Sequence, residues 1–323
     1  MRRRKFITLL VGAAPLWPLA ASAQQSAVPI IGVLSVGSPD MTSSYDAAFE
    51  RGLAESGYMV GRNVTIERRW ARGNHDRLPE LAQELLHLNP ALIIGGGNVV
   101  ALAARRATST IPIVFIIASD PVKLGLAKSF AHPGGNATGI SMMTATLVLK
   151  RLELIQELLQ QNATIGFLVN PDNQDLLQEI DEIARSTGRP LKVAKARNPD
   201  DLEPAFRQLV SAQVGAVLVS NDAMFFNLRA QIVALANRHS LPASYEFREF
   251  PAAGGLMSYG PSLVGTFQKI GTYAARILKG ARPDDLPIQQ PTEFNLVFNS
   301  ATARSLGIQI PPSLLARADE VIE

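Results

Sequence analysis

The residues with most capacity for chemistry are short polar side chains that follow apolar runs. Ser35 and Gly37 follow Val28–Val36, Gly97 and Asn98 follow Ala91–Ile94, and Ser119, Asp120 and Pro121 follow Ile111–Ile117. In the second half Asn170 follows Ile165–Val169, Ser220, Asn221 and Asp222 follow Val214–Val219, and Glu246 follows Leu241–Tyr245. Open α/β sheets bind ligands beyond the carboxyl ends of their strands. Two such sets, one from each half of the chain, suit a small polar molecule held in a cleft. Gly95, Gly96 and Gly97 precede a helical stretch, so their outward amide groups offer a place for an anion.

Motifs for covalent or nucleotide chemistry are missing. Val100 stands at the last glycine position of G-x-G-x-x-G, and the three glycines do not follow the first strand of their unit, so a dinucleotide loop is not expected. No G-x-S-x-G elbow and no G-x-x-x-x-G-K-[ST] loop occurs. His75, His87, His132 and His239 lack metal-ligand spacing and read as surface residues. Asp200-Asp201 and Asp284-Asp285 read as solvated loop carboxylates, and the Asn-x-Thr triplets at Asn63, Asn136 and Asn162 as coincidences. Were the chain an exported hydrolase, Asp120 with Glu246 would be its only plausible acid/base pair. No metal and no cofactor is expected.

Composition narrows the class further. The 323 residues are 47% hydrophobic and 18% charged, with no cysteine. That composition belongs to a soluble globular chain of about two domains. Without cysteine there is no disulfide framework, thiol nucleophile, Cys-ligated metal or lipobox-type anchor. The net charge of +3 is concentrated at one end. Arg2, Arg3, Arg4 and Lys5 are four of the 31 basic residues, and without them 27 basic residues face 28 acidic ones. Such a balance gives no electrostatic footprint for nucleic acid or anionic lipid. Residues 1–23 read instead as an export signal: a positive start, an apolar stretch from Phe6, and a small-x-small cleavage site at Ala21-Ser22-Ala23. Arg3-Arg4-Lys5-Phe6-Ile7 also resembles a twin-arginine signal, so the export route stays open between that and the general one. The expected location is the periplasm, with no membrane insertion after cleavage.

The elements that must hold the polar set alternate. The apolar runs above read as buried parallel strands, with Ala137–Met142, Leu191–Ala194 and Phe294–Phe298 added to them, while Asn63–Trp70, alternating as Val64, Ile66, Arg68 and Trp70, suits a strand nearer an edge. Helical stripes lie between them. One carries Tyr45, Phe49, Gly52 and Leu53, another Val148, Leu152, Ile155 and Leu159, and a late one Leu263, Phe267, Ile270, Ala274 and Ile277. Two successive β/α runs imply an α/β protein with two doubly wound parallel-sheet lobes rather than one barrel. The irregular stretch Asp120–Asn136 argues against eight matched barrel units.

Three stretches carry a family resemblance. The first is Ser119-Asp120-Pro121-Val122, continuing through Gly125-Leu126 to His132-Pro133-Gly134-Gly135-Asn136-Ala137-Thr138-Gly139. The second is Arg248-Glu249-Phe250 with Ala253-Gly254-Gly255-Leu256-Met257-Ser258-Tyr259-Gly260, and the third is the signal itself. Over essentially the whole mature length the chain resembles the substrate-binding component of an ABC transporter, in the tryptophan/tyrosine-type family of type I periplasmic binding proteins. Lys123 departs from the pattern, where a small residue is expected after Asp-Pro-Val.

The resemblance implies two lobes joined by a three-crossing hinge, with crossings near Met143, near Ser258 and near Asp284–Leu286. Lobe one would be residues 28–143 plus 258–284, and lobe two 144–257 plus 285–323. Tyr259 would sit at the hinge edge, either stacking on a ligand or serving as a core tyrosine. The implied role is capture of a solute by hinge closure and delivery to a permease driven by a cytoplasmic ATPase. The binding protein itself is expected to be a monomer with no catalytic activity. An aromatic amino acid or related acid is favoured. Gly97 and Asn98 would then take its carboxylate, and Asp120, Asp222 or Glu246 its ammonium group. With five Tyr and two Trp, a large aromatic cage is not expected. A sensory protein reporting to a receptor kinase would share the same cleft. A DNA-binding regulator of this lobe type would need a basic helix-turn-helix where the signal stands.

Overall fold

The computed structural model describes residues 28–39, 43–143, 147–159, 163–172, 174–187 and 191–323. The export signal read over residues 1–23 lies outside them. Lobe one is built on β1 (Ile30–Ser35), β2 (Thr65–Trp70), β3 (Leu92–Gly96), β4 (Ile113–Ile117) and β5 (Ala137–Ser141). Its helices are α1 (Ser43–Ala54), α2 (Leu78–His87) and α3 (Asn98–Ala107). The strands form one parallel sheet in the order β2-β1-β3-β4-β5. The reversal of order at β1 and β3 follows from winding helices onto both faces. All five residues of β4, Ile-Val-Phe-Ile-Ile, are buried, as a central parallel strand requires. Every residue of β2 is half-buried, because it is an edge.

Lobe two follows the same logic with α4 (Leu147–Leu159), β6 (Ile165–Val169), α5 (Gln174–Thr187), β7 (Leu191–Lys195), α6 (Leu202–Ser211), β8 (Ala216–Val219), α7 (Ala223–Asn227), α8 (Arg229–Arg238), β9 (Ala243–Tyr245), α9 (Glu249–Ala252) and β10 (Met257–Pro261). The chain then returns to lobe one as α10 (Leu263–Leu278) and comes back as β11 (Phe294–Asn299), α11 (Ser300–Ser305), α12 (Pro312–Leu315) and β12 (Glu320–Ile322). The second sheet runs β12-β11-β10-β9-β8-β6-β7. It is not wholly parallel, since β11 pairs with β10 antiparallel, from Met257↔Phe298 to Pro261↔Phe294. β10 has no apolar periodicity to announce it: Met-Ser-Tyr-Gly-Pro carries glycine and proline, yet it is an interior strand.

Three connections join the lobes, and two lie later than expected. The first follows Met143, which takes a left-handed φ of 45°. The second falls at Ser262 rather than near Ser258, because β10 pairs along its whole length in the second sheet. Ser262 then caps α10, its side chain accepting from the Gly265 N–H. The third falls at Gln290–Glu293 rather than at Asp284–Leu286. Residues 284–289 are tied to lobe one: the Thr138 hydroxyl donates to the Leu286 carbonyl at 2.6 Å, and Ser141 N–H to the Gln289 carbonyl at 2.9 Å. Ile288 packs with Ile93, Ile113 and Phe115 in the lobe-one core.

Helix α10 belongs to lobe one through its crossing with α1. Gly52 and Gly271 face each other there, and the backbones approach so closely that a Cβ on either would overlap the other helix: Gln268 O from Gly52, Phe49 O from Gly271. This contact sets where Tyr45 and Phe267 stand. Gly271→Ala is therefore expected to lower stability by about 1–3 kcal/mol through overpacking. Urea denaturation checks it, and an unchanged midpoint would contradict the close crossing.

Candidate functional site

The carboxyl ends of β1, β3 and β4 face those of β6 and β8 across a cleft with two connected chambers. The outer chamber, about 930 Å³, is walled by Val36–Pro39 and Arg72–Asp76 of lobe one. Its other wall holds Asp172, Arg197–Pro199, Met224, Asn227 and Leu228 of lobe two. Val36, Gly37, Ser38 and Asn227 line both chambers. At Gly37 the lobes come close, since a Cβ built on it would stand 3.5 Å from Asn227 Oδ1 of the other lobe.

The inner chamber, about 180 Å³, is mostly apolar. Tyr45 and Phe267 enter it from lobe one, Phe226 and Phe247 from lobe two. Tyr45 stacks on Phe267 with ring centroids 5.1 Å apart and meets Phe226 across the cleft at 6.0 Å. Phe226 stands edge-on to Phe247 at 5.7 Å. Arg229 holds Phe226 from behind, its guanidinium 5.1 Å from the ring centroid and Nη1 donating to the Phe226 carbonyl. Burial pushes the Tyr45 hydroxyl well above the usual tyrosine range, and its hydrogen bond to Glu249 of lobe two adds to this. The lobes therefore meet through one continuous hydrophobic cluster, which includes Ile31 and Ile94 on one side and Val219 and Phe225 on the other.

The polar set read from strand ends divides. Ser35, Gly37, Gly97 and Asn221 line the inner chamber. Ser35 Oγ accepts the Gly37 N–H at 3.0 Å and so shapes the β1 loop. At the start of α3 the Gly97 N–H donates to the Ile116 carbonyl at 2.7 Å, and among the described residues no side chain caps the helix. Asn98 is spent on lobe one: Nδ2 donates to Ser119 Oγ and Oδ1 accepts the Ala118 N–H. Asp120 closes a turn by accepting from Val122 and Lys123, and Pro121 is buried with its carbonyl accepting from Leu126 and Ala127. Tyr259 is on β10, packed with the second core and stacked on Phe294 at 6.0 Å, outside both chambers. Asp120 belongs to lobe one and Glu246 to lobe two, and neither lines either chamber.

Asn170, Asp222 and Glu246 support the site from behind. Asp222 caps α7, accepting from Met224 and Phe225, and receives Asn170 Nδ2 at 3.0 Å. This cap aims Phe226 into the chamber. Burial raises the Asp222 pKa, against the hydrogen bonds that lower it. Glu246 is buried, and Asn221 Nδ2 donates to it at 3.3 Å. Arg151 of α4 is fully buried nearby, bound to the Val219 and Ser244 carbonyls. Burial pulls it down to about 10, while the charge of Glu246 works to keep it protonated. Among the described residues no group of three or more His, Cys, Asp or Glu is placed to hold a metal.

The aromatic walls were not expected as a site. Tyr45 and Phe267 lie on helical stripes that read as core, and the cage count considered Tyr and Trp but not the thirteen Phe. The available signal was position: Phe226 and Phe247 lie just beyond strand-end residues Asp222 and Glu246.

Tyr245, at the end of β9, is fully buried, and burial raises its pKa. Among the described residues its hydroxyl has no hydrogen-bond partner. Raised tyrosines keep their proton in the fold when the unfolded chain ionises near pH 10, so the stability they contribute is complete below that and is lost as pH rises beyond it. Melting temperature is expected to fall above about pH 10. Tyr245→Phe should flatten that fall and cost nothing near neutral pH. An equally steep alkaline fall in the variant would contradict this.

Comparison with known proteins places this geometry. A family model described as ABC transporter substrate binding protein matches residues 30–322. A tyrosine-binding protein of Clostridioides difficile (strain R20291) is 26% identical over 270 residues, 81% of this chain and 76% of that protein. The crystal structure of a conserved domain protein from Vibrio cholerae O1 biovar eltor has a TM-score of 0.83 at 27% identity, covering 91% of this chain and 99% of that one. A Streptococcus structure described as an ABC domain in complex with L-Trp has a TM-score of 0.81 at 25% identity, with the same coverage. Two α/β lobes that share one cleft, matched from the first strand to the last, make this chain a member of the ABC transporter substrate-binding protein family.

Proposed function

We propose that this chain captures a small aromatic solute, an amino acid or related aromatic acid, outside the cytoplasm and delivers it to a membrane permease driven by a cytoplasmic ATPase. The inner chamber carries the reading. An apolar cavity of roughly 150 Å³ is enough to hold benzene, so about 180 Å³ walled by four aromatic residues suits one ring. A sugar would leave hydroxyls unpaired against Phe226, Phe247 and Phe267, at about 1–3 kcal/mol for each buried polar group. The tyrosine-binding and L-Trp-bound relatives support the same solute class. The export signal at residues 1–23 supports the location.

Capture works by differential contact. Tyr45 of lobe one touches Phe226 and Glu249 of lobe two only when the lobes are together. A ring that fills the chamber adds contacts to both lobes at once and stabilises the closed form over the open one.

A thermal-shift panel of aromatic amino acids, aromatic acids, aliphatic amino acids and sugars tests the reading. Solute at 100 times its dissociation constant adds about 2.7 kcal/mol of stability. Shifts confined to ring-bearing solutes are expected, and a shift with sugars alone would overturn the proposal. Tyr45→Phe removes the hydrogen bond to Glu249 and should favour opening by about tenfold. Small-angle scattering of the solute-free variant should show a larger radius of gyration than wild type. An identical profile would contradict the closing role of Tyr45.

A further inference from the structure

The outer chamber is lined by charge where the inner one is lined by rings. Arg72 stands on the lobe-one wall and Arg197 on the lobe-two wall. Arg72 is held at φ 52°, a left-handed conformation that non-glycine residues seldom adopt. The surrounding backbone fixes it there. Ala71 N–H donates to the Ser35 carbonyl at 2.8 Å, Arg72 N–H to Gly37 at 3.2 Å, and Gly73 N–H to Val36 at 2.8 Å. The loop is thus an extension of β1, whose end lines both chambers. Among the described residues the Arg72 side chain takes part in no ion pair or hydrogen bond. Arg197 is oriented by one bond, Nε to Asp172 Oδ1 at 3.1 Å, which leaves its terminal nitrogens available.

Two guanidinium groups on opposing walls repel as the cleft narrows, and an anion between them converts that repulsion into attraction. The chamber also holds Asp76, Asp172 and His75, so it is not a sink for polyanions. It matches a single carboxylate on a molecule that can also carry an ammonium group. Arg72 and Arg197 are the arginine and lysine residues among the lining of the two chambers, both of them in the outer one. We propose that the outer chamber is the subsite for the solute's carboxylate, with Arg72 and Arg197 as its cationic walls. The assignment rests on the reading that a ring occupies the inner chamber.

Isothermal titration of the purified protein with L-phenylalanine, 3-phenylpropionate, phenethylamine and L-alanine tests it, in wild type, Arg72→Asn and Arg197→Gln. Asparagine tolerates the left-handed backbone, so the loop keeps its shape. The two aromatic acids should bind wild type at least about tenfold tighter than the amine, as a charge-assisted pair implies. Each variant should weaken the acids by a similar factor and leave the amine unchanged. If the amine binds as tightly as the acids and neither substitution matters, the carboxylate subsite is overturned while the aromatic reading stands. If L-alanine binds as tightly as the aromatic acids and loses affinity in Arg72→Asn, the subsite stands and the aromatic reading falls. No binding by any carboxylate overturns both.

Discussion

The contact of Tyr45 with Phe226 across the cleft is the interaction on which the rest of the site depends. Each ring is held by its own lobe and completes the chamber only beside the other. On one side the α1–α10 crossing at Gly52 and Gly271 fixes the helices that bear Tyr45 and Phe267. On the other, Asp222 caps the short helix that bears Phe226, and Asn170 holds Asp222. An aromatic pair adds only about 0.5–1.5 kcal/mol beyond its buried area. That modest figure is what a closing contact needs, because a stronger one would hold the cleft shut without solute.

Polar groups near the cleft divide by role. Asn98, Asp120 and Asp222 look outward in the sequence, yet each is tied by hydrogen bonds within its own lobe. Arg151 and Glu246 go further and place opposite charges in the core beneath Asn221. Arg151 spends its guanidinium on the Val219 and Ser244 carbonyls, so it is better suited to holding lobe two rigid than to meeting a changing ligand. The inner chamber is lined by rings with Ser35, Ser38, Asn221 and Asn227 among them, and the outer one carries the guanidinium groups.

Much of the fold was legible. Buried parallel strands such as Ile113–Ile117 and amphipathic helices such as Leu147–Leu159 announce themselves by period, and their alternation implies two wound lobes. β10 was not legible, because its place inside the second sheet comes from tertiary pairing rather than from Met-Ser-Tyr-Gly-Pro. The same miss displaced the second crossing and put Tyr259 at the hinge edge instead of against Phe294. The site was legible in place but not in composition. Strand ends pointed to the cleft through Ser35, Gly37 and Asn221. Tyr45 and Phe267 read as core because a ring facing a closed cleft obeys the same helical period as one facing a hydrophobic interior. Arg72 and Arg197 were hidden for a different reason: they lie in loops after edge strands, where only the folded chain brings the two walls together.

A crystal structure grown with an aromatic amino acid tests the central claim most directly. The account predicts the ring in the inner chamber, against Tyr45 and Phe267 of one lobe and Phe226 and Phe247 of the other. A solute bound elsewhere, with those four rings packed as they are without it, would contradict the account.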